Sequence, residues 1–381
     1  MNTTTVQRPV SQVTQYNFKA GKSIVQLAQE LENLRENSKD FLVPTSKLEM
    51  ESRDKELFLG FTNGSKHEIK LNNWSGGQLA TYSEIPKAYY DKLKDENPAL
   101  LATNVNHSFQ TIAKQAAKNG EKESRMLRTV NGQARAFVSS KYRRLDSFDL
   151  VEAIWPTVQE SGLLPVSQEL TERRLYLKFV SPDLKTEITK GDVVRYGLLI
   201  SNSDVGGGSL RVESFIDRLV CSNGLIMPTS MRKNHIQSDR AADDVFELFS
   251  DKTKFLTDAA FWSQVKELVQ ISLRPENFEE QVAKLRATVT KEIKSDDMEK
   301  VVEMTMKTLN LPGKDKQKSV LSWLAKGNEG AGLTQWGLIN SLTRTAQADF
   351  VDYDQAVEIE RAAGRIIELT DKEWNRISTA S

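Results

Sequence analysis

The chain has 381 residues and carries 52 basic and 52 acidic side chains, so its formal net charge is zero. This balance argues against a protein that binds nucleic acid through its overall charge. One cysteine excludes an intramolecular disulfide, and the three histidines are too far apart in sequence for a zinc site. The first residues contain no apolar core of signal-peptide length, and no apolar run reaches the roughly 18 residues of a membrane helix. We expect a cytoplasmic protein without membrane contact, metal or cofactor.

The charges are distributed unevenly along the chain. Residues 114–240 carry 20 basic and 15 acidic side chains, whereas residues 241–381 carry 19 and 24. Within residues 114–144, nine basic side chains are accompanied only by Glu121 and Glu123. A surface that attracts polyanions is therefore expected in the middle of the chain.

The first part of the chain divides into a tail and a region of mixed structure. Residues 1–20 are rich in Thr, Gln and Ser, which predicts a flexible tail. Residues 21–120 form the second segment, where apolar residues at helical spacing predict an amphipathic helix over residues 22–37. Asn63 and Gly64 stand between two alternating runs and predict a β-hairpin. A helical connector is expected after this hairpin.

Residues 121–240 are expected to form a basic α+β core. A hairpin turning at residues 131–132 precedes a helix over residues 146–162, because an Asn-Gly pair and then a capped apolar stripe occur there. Two segments within residues 165–202 are β-branched or alternate between polar and apolar residues, and they predict a second hairpin. Apolar residues at i, i+3, i+4, i+7 and i+8 then predict a helix over residues 209–224, ended by Asn-Gly. The order is hairpin, helix, hairpin, helix, with a central antiparallel sheet.

Residues 241–381 show helical periodicity, interrupted by proline and glycine, and no internal repeat. We predict an acidic, all-helical C-terminal region whose first helical stretch covers residues 242–256. The predicted fold class is therefore α+β, with a mostly helical C-terminal region. Asp296 and Asp297 are adjacent at the start of a predicted helix, which indicates capping rather than metal binding.

Gly206, Gly207 and Gly208 match neither a dinucleotide-binding nor a P-loop spacing. Two interpretations stay open: glycine supplies positive φ in a turn, or backbone N–H groups at the following helix contact an anion. Cys221 has no nearby histidine to act as a base, so burial as a small apolar residue is favoured over a nucleophile. No catalytic residues are predicted, and we do not expect an enzyme.

Basic and aromatic residues of the middle region form the candidate nucleic-acid site. Basic side chains neutralise phosphates and rings stack on bases, which is how single strands are bound without sequence preference. A solvated charged sheet face is the alternative explanation. The candidates for phosphate contact are Arg125, Arg128, Arg135, Lys141, Arg143 and Arg144, aided by Arg195, Arg232 and Lys233, and Tyr142 is the candidate for stacking.

Several long blocks carry a resemblance to a known family, among them RMLRTVNGQARAFVSSKYRRLDSFDLVEA and SNSDVGGGSLRVESFIDRLVCSNGLI. Over residues 80–370 the chain resembles the phage- and plasmid-like proteins of the domain-of-unknown-function family numbered nine-three-two. That resemblance implies an origin in a mobile genetic element and no particular activity. The topology also resembles the β-β-β-α core of single-strand annealing recombinases, from which no residue is carried over.

The expected function is that of a phage- or plasmid-encoded single-stranded DNA-binding protein, acting as a homo-oligomer and promoting annealing. The alternative is a protein-interaction factor that modulates a host defence or replication system, with host or phage partners bound through the acidic C-terminal helices. A nuclease or nucleotide-processing enzyme is the third hypothesis, and the sequence shows no set of converging acids that would support metal-dependent chemistry.

Overall fold

The computed structural model describes residues 21–63, 65–219, 223–233, 246–247, 252–327 and 331–381. The predicted tail, Cys221 and His235 lie outside them. The helices are α1 (Ile24–Asn37), α2 (Asn73–Tyr82), α3 (Lys87–Glu96), α4 (Pro98–Lys118), α5 (Ser147–Glu160), α6 (Lys252–Ser272), α7 (Pro275–Val289), α8 (Met298–Thr308), α9 (Lys314–Ala325), α10 (Gln335–Thr345), α11 (Tyr353–Arg365) and α12 (Asp371–Ser378). The strands are β1 (Ser38–Pro44), β2 (Glu49–Arg53), β3 (Glu56–Asn63), β4 (Ser65–Leu71), β5 (Ser124–Val130), β6 (Gln133–Ser139), β7 (Leu164–Leu170), β8 (Leu175–Glu187), β9 (Val193–Asn202), β10 (Leu210–Arg218), β11 (Asn223–Lys233) and β12 (Phe246–Glu247).

The strands form two sheets, and the predicted α+β class with a mostly helical C-terminal region is confirmed. Sheet I has the order β12-β1-β5-β6-β4-β3-β2, and sheet II has the order β11-β10-β9-β8-β7. The β5–β6 hairpin and the β8–β9 pair, which the sequence suggested to share one sheet, therefore lie in different sheets. Among the described residues, no helix is both long and apolar enough to cross a membrane.

Sheet I contains both hairpins that Asn-Gly pairs predicted. Asn131 and Gly132 have φ values of +49° and +76°, as a two-residue turn with positive φ at both positions requires. Helices α2, α3 and α4 pack on this sheet through a core that includes Leu79, Val105 and Phe137. Strand β2 is an edge strand, and the Asn106 side chain of α4 satisfies both backbone groups of Met50 at 2.7 and 2.9 Å.

Sheet II is buried on both faces. Leu198 and Ile200 of β9 pack with α1, α5 and α6, whereas Leu199, which points to the opposite face, packs near Val357 of α11. The helices from α7 onward share a further core with sheet II, including Tyr196 of β9. This apolar core therefore contains residues from both sides of position 240, where the sequence predicted a boundary between two segments.

The helix predicted over residues 209–224 is wrong, because β10 and β11 occupy its described part. Nearly every β10 residue is buried, and a bulge lies between Glu213 and Phe215, so the strand lacks a simple alternation of polar and apolar residues. Its apolar residues coincidentally match helical spacing. Asn223 and Gly224 begin β11 instead of ending a helix.

The C-terminal helices α7–α12 occupy the region that the sequence predicted to be helical. Asp297 caps α8 by accepting a hydrogen bond from the Lys300 N–H at 3.0 Å, as predicted. Phe246 and Glu247 depart from the prediction, because they pair as β12 with β1 instead of lying in a helix. The helix α2 was not predicted, since Gly76 and Gly77 in its interior weaken the helical signal.

Candidate functional site

A groove of about 690 Å³ lies where sheet I, α2 and the β9–β10 loop meet. We call it the aromatic groove, because rings of α2, β6 and the segment after β6 form much of its wall. It is lined by Trp74, Gln78, Thr81, Tyr82, Arg125, Phe137, Val138, Ser139, Tyr142, Gly206, Gly208 and Ser209.

Helix α2 supplies one wall of the groove from residues spaced three or four apart, which therefore share one face of the helix. The Trp74 Nε1–H and the Gln78 Nε2–H both donate to the Val205 carbonyl, at 2.8 and 2.7 Å. The Gln78 Oε1 accepts from the Phe137 N–H of β6 at 2.8 Å. These bonds fix α2, β6 and the β9–β10 loop to one another, so the groove is rigidly held.

The three glycines allow the β9–β10 loop to pass close to its neighbours. Gly206 and Gly208 have φ values of +80° and +131°, and a Cβ at Gly207 would lie 2.7 Å from the Arg173 carbonyl oxygen. The Gly207 N–H already donates to the Ser203 Oγ at 2.6 Å. A strand and not a helix follows this loop, so anion binding at a helix N-terminus is wrong and the glycines serve the turn.

Tyr142 closes the groove beside this loop. Its hydroxyl donates to the Ser203 carbonyl at 2.6 Å and accepts from the Gly206 N–H at 3.2 Å. Burial raises the pKa of the Tyr142 phenol above its usual value, so the hydroxyl keeps its proton and stays a donor. The ring that the sequence selected for stacking is thus part of the wall.

We expect Tyr142→Phe to lower the free energy of unfolding by about 1–3 kcal/mol, because it leaves a loop carbonyl and a loop N–H without their partner. Thermal unfolding followed by circular dichroism measures this change. Tyr89→Phe is the matched control, since Tyr89 is exposed on α3. Equal stability of the Tyr142 variant and the wild type would contradict the role of the hydroxyl in holding the loop.

Arg125 places a cation on the groove wall without a close carboxylate. Its guanidinium lies 4.4 Å from the centre of the Tyr82 ring and 5.1 Å from that of Phe137. The Glu123 carboxylate is 3.9 Å away, at the outer limit of an ion pair, and no described residue forms a hydrogen bond with the Arg125 Nε. Burial lowers the pKa of Arg125, which means that an anion bound in the groove would stabilise its charge.

Three other predicted arginines, Arg128, Arg135 and Arg144, are held in ion pairs instead. Their side chains are at most 12% exposed, and they lie 2.5–3.4 Å from carboxylate oxygens. The partners are Asp40, Asp146 and Asp204. Arg128 also donates to the Asp204 carbonyl at 2.7 Å. This cluster joins sheet I to the β9–β10 loop, and a phosphate would have to compete with its carboxylates.

The remaining predicted residues lie in separate places. Lys141 is exposed in the turn after β6, and the Arg143 guanidinium lies 4.8 Å from the centre of a phenylalanine ring of α6. Arg195 is buried in sheet II, where it pairs with Asp217. Of the predicted residues whose side chains are described, only Arg125 and Tyr142 therefore lie in the wall of the groove.

For Arg232 and Lys233 the structure describes only the backbone, which belongs to β11. They pair with Arg211 and Leu210 at the start of β10, directly after Ser209 of the groove wall. Strand pairing thus brings this basic segment to the same end of sheet II as the groove.

A second cavity of about 570 Å³ adjoins the aromatic groove and shares three α2 residues with it. Its lining is Asn73, Trp74, Gly77, Gln78, Thr81, Lys87, Thr171, Glu172, Arg173, Asp352, Tyr353 and Asp354. The Arg173 guanidinium lies 4.7 Å from the centre of the Trp74 ring. Within the part of the chain that the structure describes, no carboxylate pairs with Arg173.

Sequence reasoning missed Trp74 and Arg173. The one available signal was NWSGGQLATY, which contains a tryptophan in its first turn and follows the N-capping Asn72, but its two glycines obscured the helix. No group of three His, Cys, Asp or Glu side chains that could hold a metal ion occurs among the residues described.

Comparison with known families adds a classification. The family model described as "Domain of unknown function (DUF932)" matches residues 134–349, which is more than half of the chain. The match includes Tyr142 and the three glycines, whereas Trp74 and Arg125 precede it. No curated protein and no solved structure matches the chain. The protein therefore belongs to the DUF932 family.

Proposed function

We propose that the aromatic groove binds single-stranded DNA. The observation that carries this proposal is the position of Arg125, whose ion pair with Glu123 is long at 3.9 Å, in a wall shared with Trp74, Tyr82 and Tyr142. Rings and cations together bind a single strand, since the rings stack on bases and the cations neutralise phosphates.

The arrangement of the groove favours a single strand over a duplex. A base can stack on the Trp74 ring only if the base is free of its neighbours, and bases in a duplex are not. Arg173, Lys87 and Arg125 line the connected cavities and supply cations along a path through them. The internally paired arginines are not needed for this path.

We extend the proposal to a homo-oligomer that promotes annealing in the cytoplasm of a host cell. A strand held by stacking and by phosphate contacts leaves the edges of those bases that lie outside the cavities available to a complementary strand. The sequence resemblance to phage- and plasmid-like proteins supports an origin in a mobile element. The resemblance to annealing recombinases lends less support, because the segment compared with their packing helix is β10.

A salt titration with a fluorescently labelled oligonucleotide tests DNA binding. Affinity is expected to fall with salt at a log–log slope of about −0.7 per phosphate contact. Arg125→Ala should weaken binding and make this slope shallower by about 0.7, because one contact is lost. Arg376→Ala, on the exposed surface of α12, is the control and should leave the slope unchanged.

Absence of binding at low salt would contradict the proposal. The hypothesis of a protein-interaction factor would then be tested by pull-down from nuclease-treated host lysate, in which a DNA-bridged partner is lost and a direct partner is retained.

A further inference from the structure

The second cavity differs in charge from the aromatic groove that it adjoins. It carries the carboxylates of Glu172, Asp352 and Asp354, together with the cations Lys87 and Arg173. None of the described residues that line the aromatic groove carries a carboxylate. A DNA strand that passes over Trp74 would therefore run from the aromatic groove into a cavity that adds carboxylate oxygens as hydrogen-bond acceptors.

Two of these carboxylates can accept further hydrogen bonds. The Asp354 Oδ1 accepts from the Tyr176 hydroxyl at 2.7 Å and from the Thr171 hydroxyl at 3.3 Å, whereas no described residue donates to its Oδ2. No ion pair of the described residues involves Glu172. Asp352, in contrast, uses both oxygens on Gln355, to cap α11.

The internal bonds of Asp354 also fix its orientation. Tyr176 lies on β8 of the buried sheet II, and Asp354 lies in the first turn of α11. Because one carboxylate oxygen is held by two hydroxyl groups, the other has a defined position beside Tyr353 on the cavity wall. A fixed acceptor discriminates better between ligands than a mobile one does, since it cannot turn away from a mismatched group.

We propose that the second cavity reads the base that stacks on Trp74 and favours bases with an exocyclic amino group over thymine. This inference rests on the proposed binding of single-stranded DNA. An ionised carboxylate only accepts hydrogen bonds. Cytosine presents an amino donor at the position where thymine presents a carbonyl oxygen, so Asp354 and Glu172 bind the first and repel the second.

The sharpest test compares two oligonucleotides of about 12 nucleotides, one of 5-methylcytosine and one of thymine, at about pH 8. The two bases carry the same methyl group and differ on the edge that pairs with acceptors. We expect the 5-methylcytosine oligonucleotide to bind about five- to tenfold more tightly, as one or two charge-assisted hydrogen bonds imply.

The double variant Glu172→Gln/Asp354→Asn is expected to bring the ratio of the two affinities close to one. The asparagine can still accept the Tyr176 hydrogen bond, and Glu172→Gln alone, at an exposed site, should lower the ratio in part. Asp315→Asn on α9 removes a charge outside both cavities, and should leave the ratio unchanged. The ratio of the two affinities is compared, and not each affinity alone, because removing negative charge raises the affinity for both oligonucleotides.

The outcomes separate the two proposals. If the wild type binds both oligonucleotides with equal affinity and Trp74→Ala still weakens binding, the proposed base preference is overturned and the proposed DNA binding is not. A preference for 5-methylcytosine that survives in the double variant would also overturn it. Binding of neither oligonucleotide at low salt would overturn the proposed function itself.

Discussion

Replacing Trp74 with alanine is expected to weaken the binding of single-stranded DNA by about 5- to 150-fold. Stacking of a base on an aromatic side chain contributes about 1–3 kcal/mol, and Trp74 is the residue shared by both cavities that offers a large ring. The half-buried indole is held by its hydrogen bond to the Val205 carbonyl, so stacking requires little further ordering. Fluorescence anisotropy with a labelled oligonucleotide measures the loss.

Two variants separate stacking from structural damage. Trp74→Phe keeps a ring but loses the hydrogen bond to Val205, so affinity should stay closer to the wild type than in the alanine variant. Trp323→Ala is the matched control, because Trp323 of α9 contacts Lys326, directly after α9, and Arg344 of α10, and lines neither cavity. Equal losses in Trp74→Ala and Trp323→Ala would contradict a specific role for Trp74.

Replacing Glu360 with alanine is expected to lower the free energy of unfolding by about 3–5 kcal/mol. Lys178 Nζ of β8 lies 2.8 and 2.6 Å from the two Glu360 carboxylate oxygens of α11, and both side chains are buried. Removal of one partner leaves a buried charge without compensation, which costs far more than loss of a surface ion pair. Burial raises the pKa of Glu360, while the charge of Lys178 opposes this rise.

Urea unfolding measures this effect, with two comparisons. Glu358→Ala removes a neighbouring, exposed carboxylate that pairs with Arg361, and should cost at most about 1 kcal/mol. Lys178→Met/Glu360→Met replaces the whole pair with apolar groups and should recover most of the stability. A loss below about 1 kcal/mol in Glu360→Ala would show that the pair does not hold α11 on sheet II.

Local sequence signals predicted the elements whose structure depends on nearby residues. The Asn131–Gly132 turn requires positive φ at both positions, and few residues other than Asn and Gly adopt it readily. The stripe that includes Leu27 and Leu31 predicted α1, and these two side chains are buried on one face. In both cases the physical cause lies within a few residues of the chain.

The prediction failed at β10, where distant residues decide the structure. Arg195 and Arg361 neutralise Asp217 and Glu213, so this central strand is buried on both faces despite its charges. Its partners come from β9 and α11, which no local pattern reveals. The sheet therefore overrides the helical spacing of the apolar residues in this segment.

For the candidate site, the sequence drew attention to a basic, aromatic middle region, and Arg125 and Tyr142 of that region lie in the groove wall. The sequence could not show that Arg125 and Arg128 differ in their ion pairing, because the carboxylates that pair with Arg128 come from other parts of the chain. Asp40 pairs with Arg128 at 3.1 Å, whereas the ion-pair partner of Arg125 among the described residues is Glu123, at 3.9 Å. The ability of a cation to bind a ligand is set by its neighbours in space.

By itself, the amino-acid sequence determined the α+β class, the two Asn-Gly hairpins, the helical C-terminal region and the family, since these depend on local periodicity, turn chemistry and long sequence blocks. The tertiary structure alone decided that two sheets form, that β10 is a strand, and that Trp74, Arg125 and Arg173 line connected cavities. Long-range burial and charge pairing select among structures that local propensity leaves close in free energy.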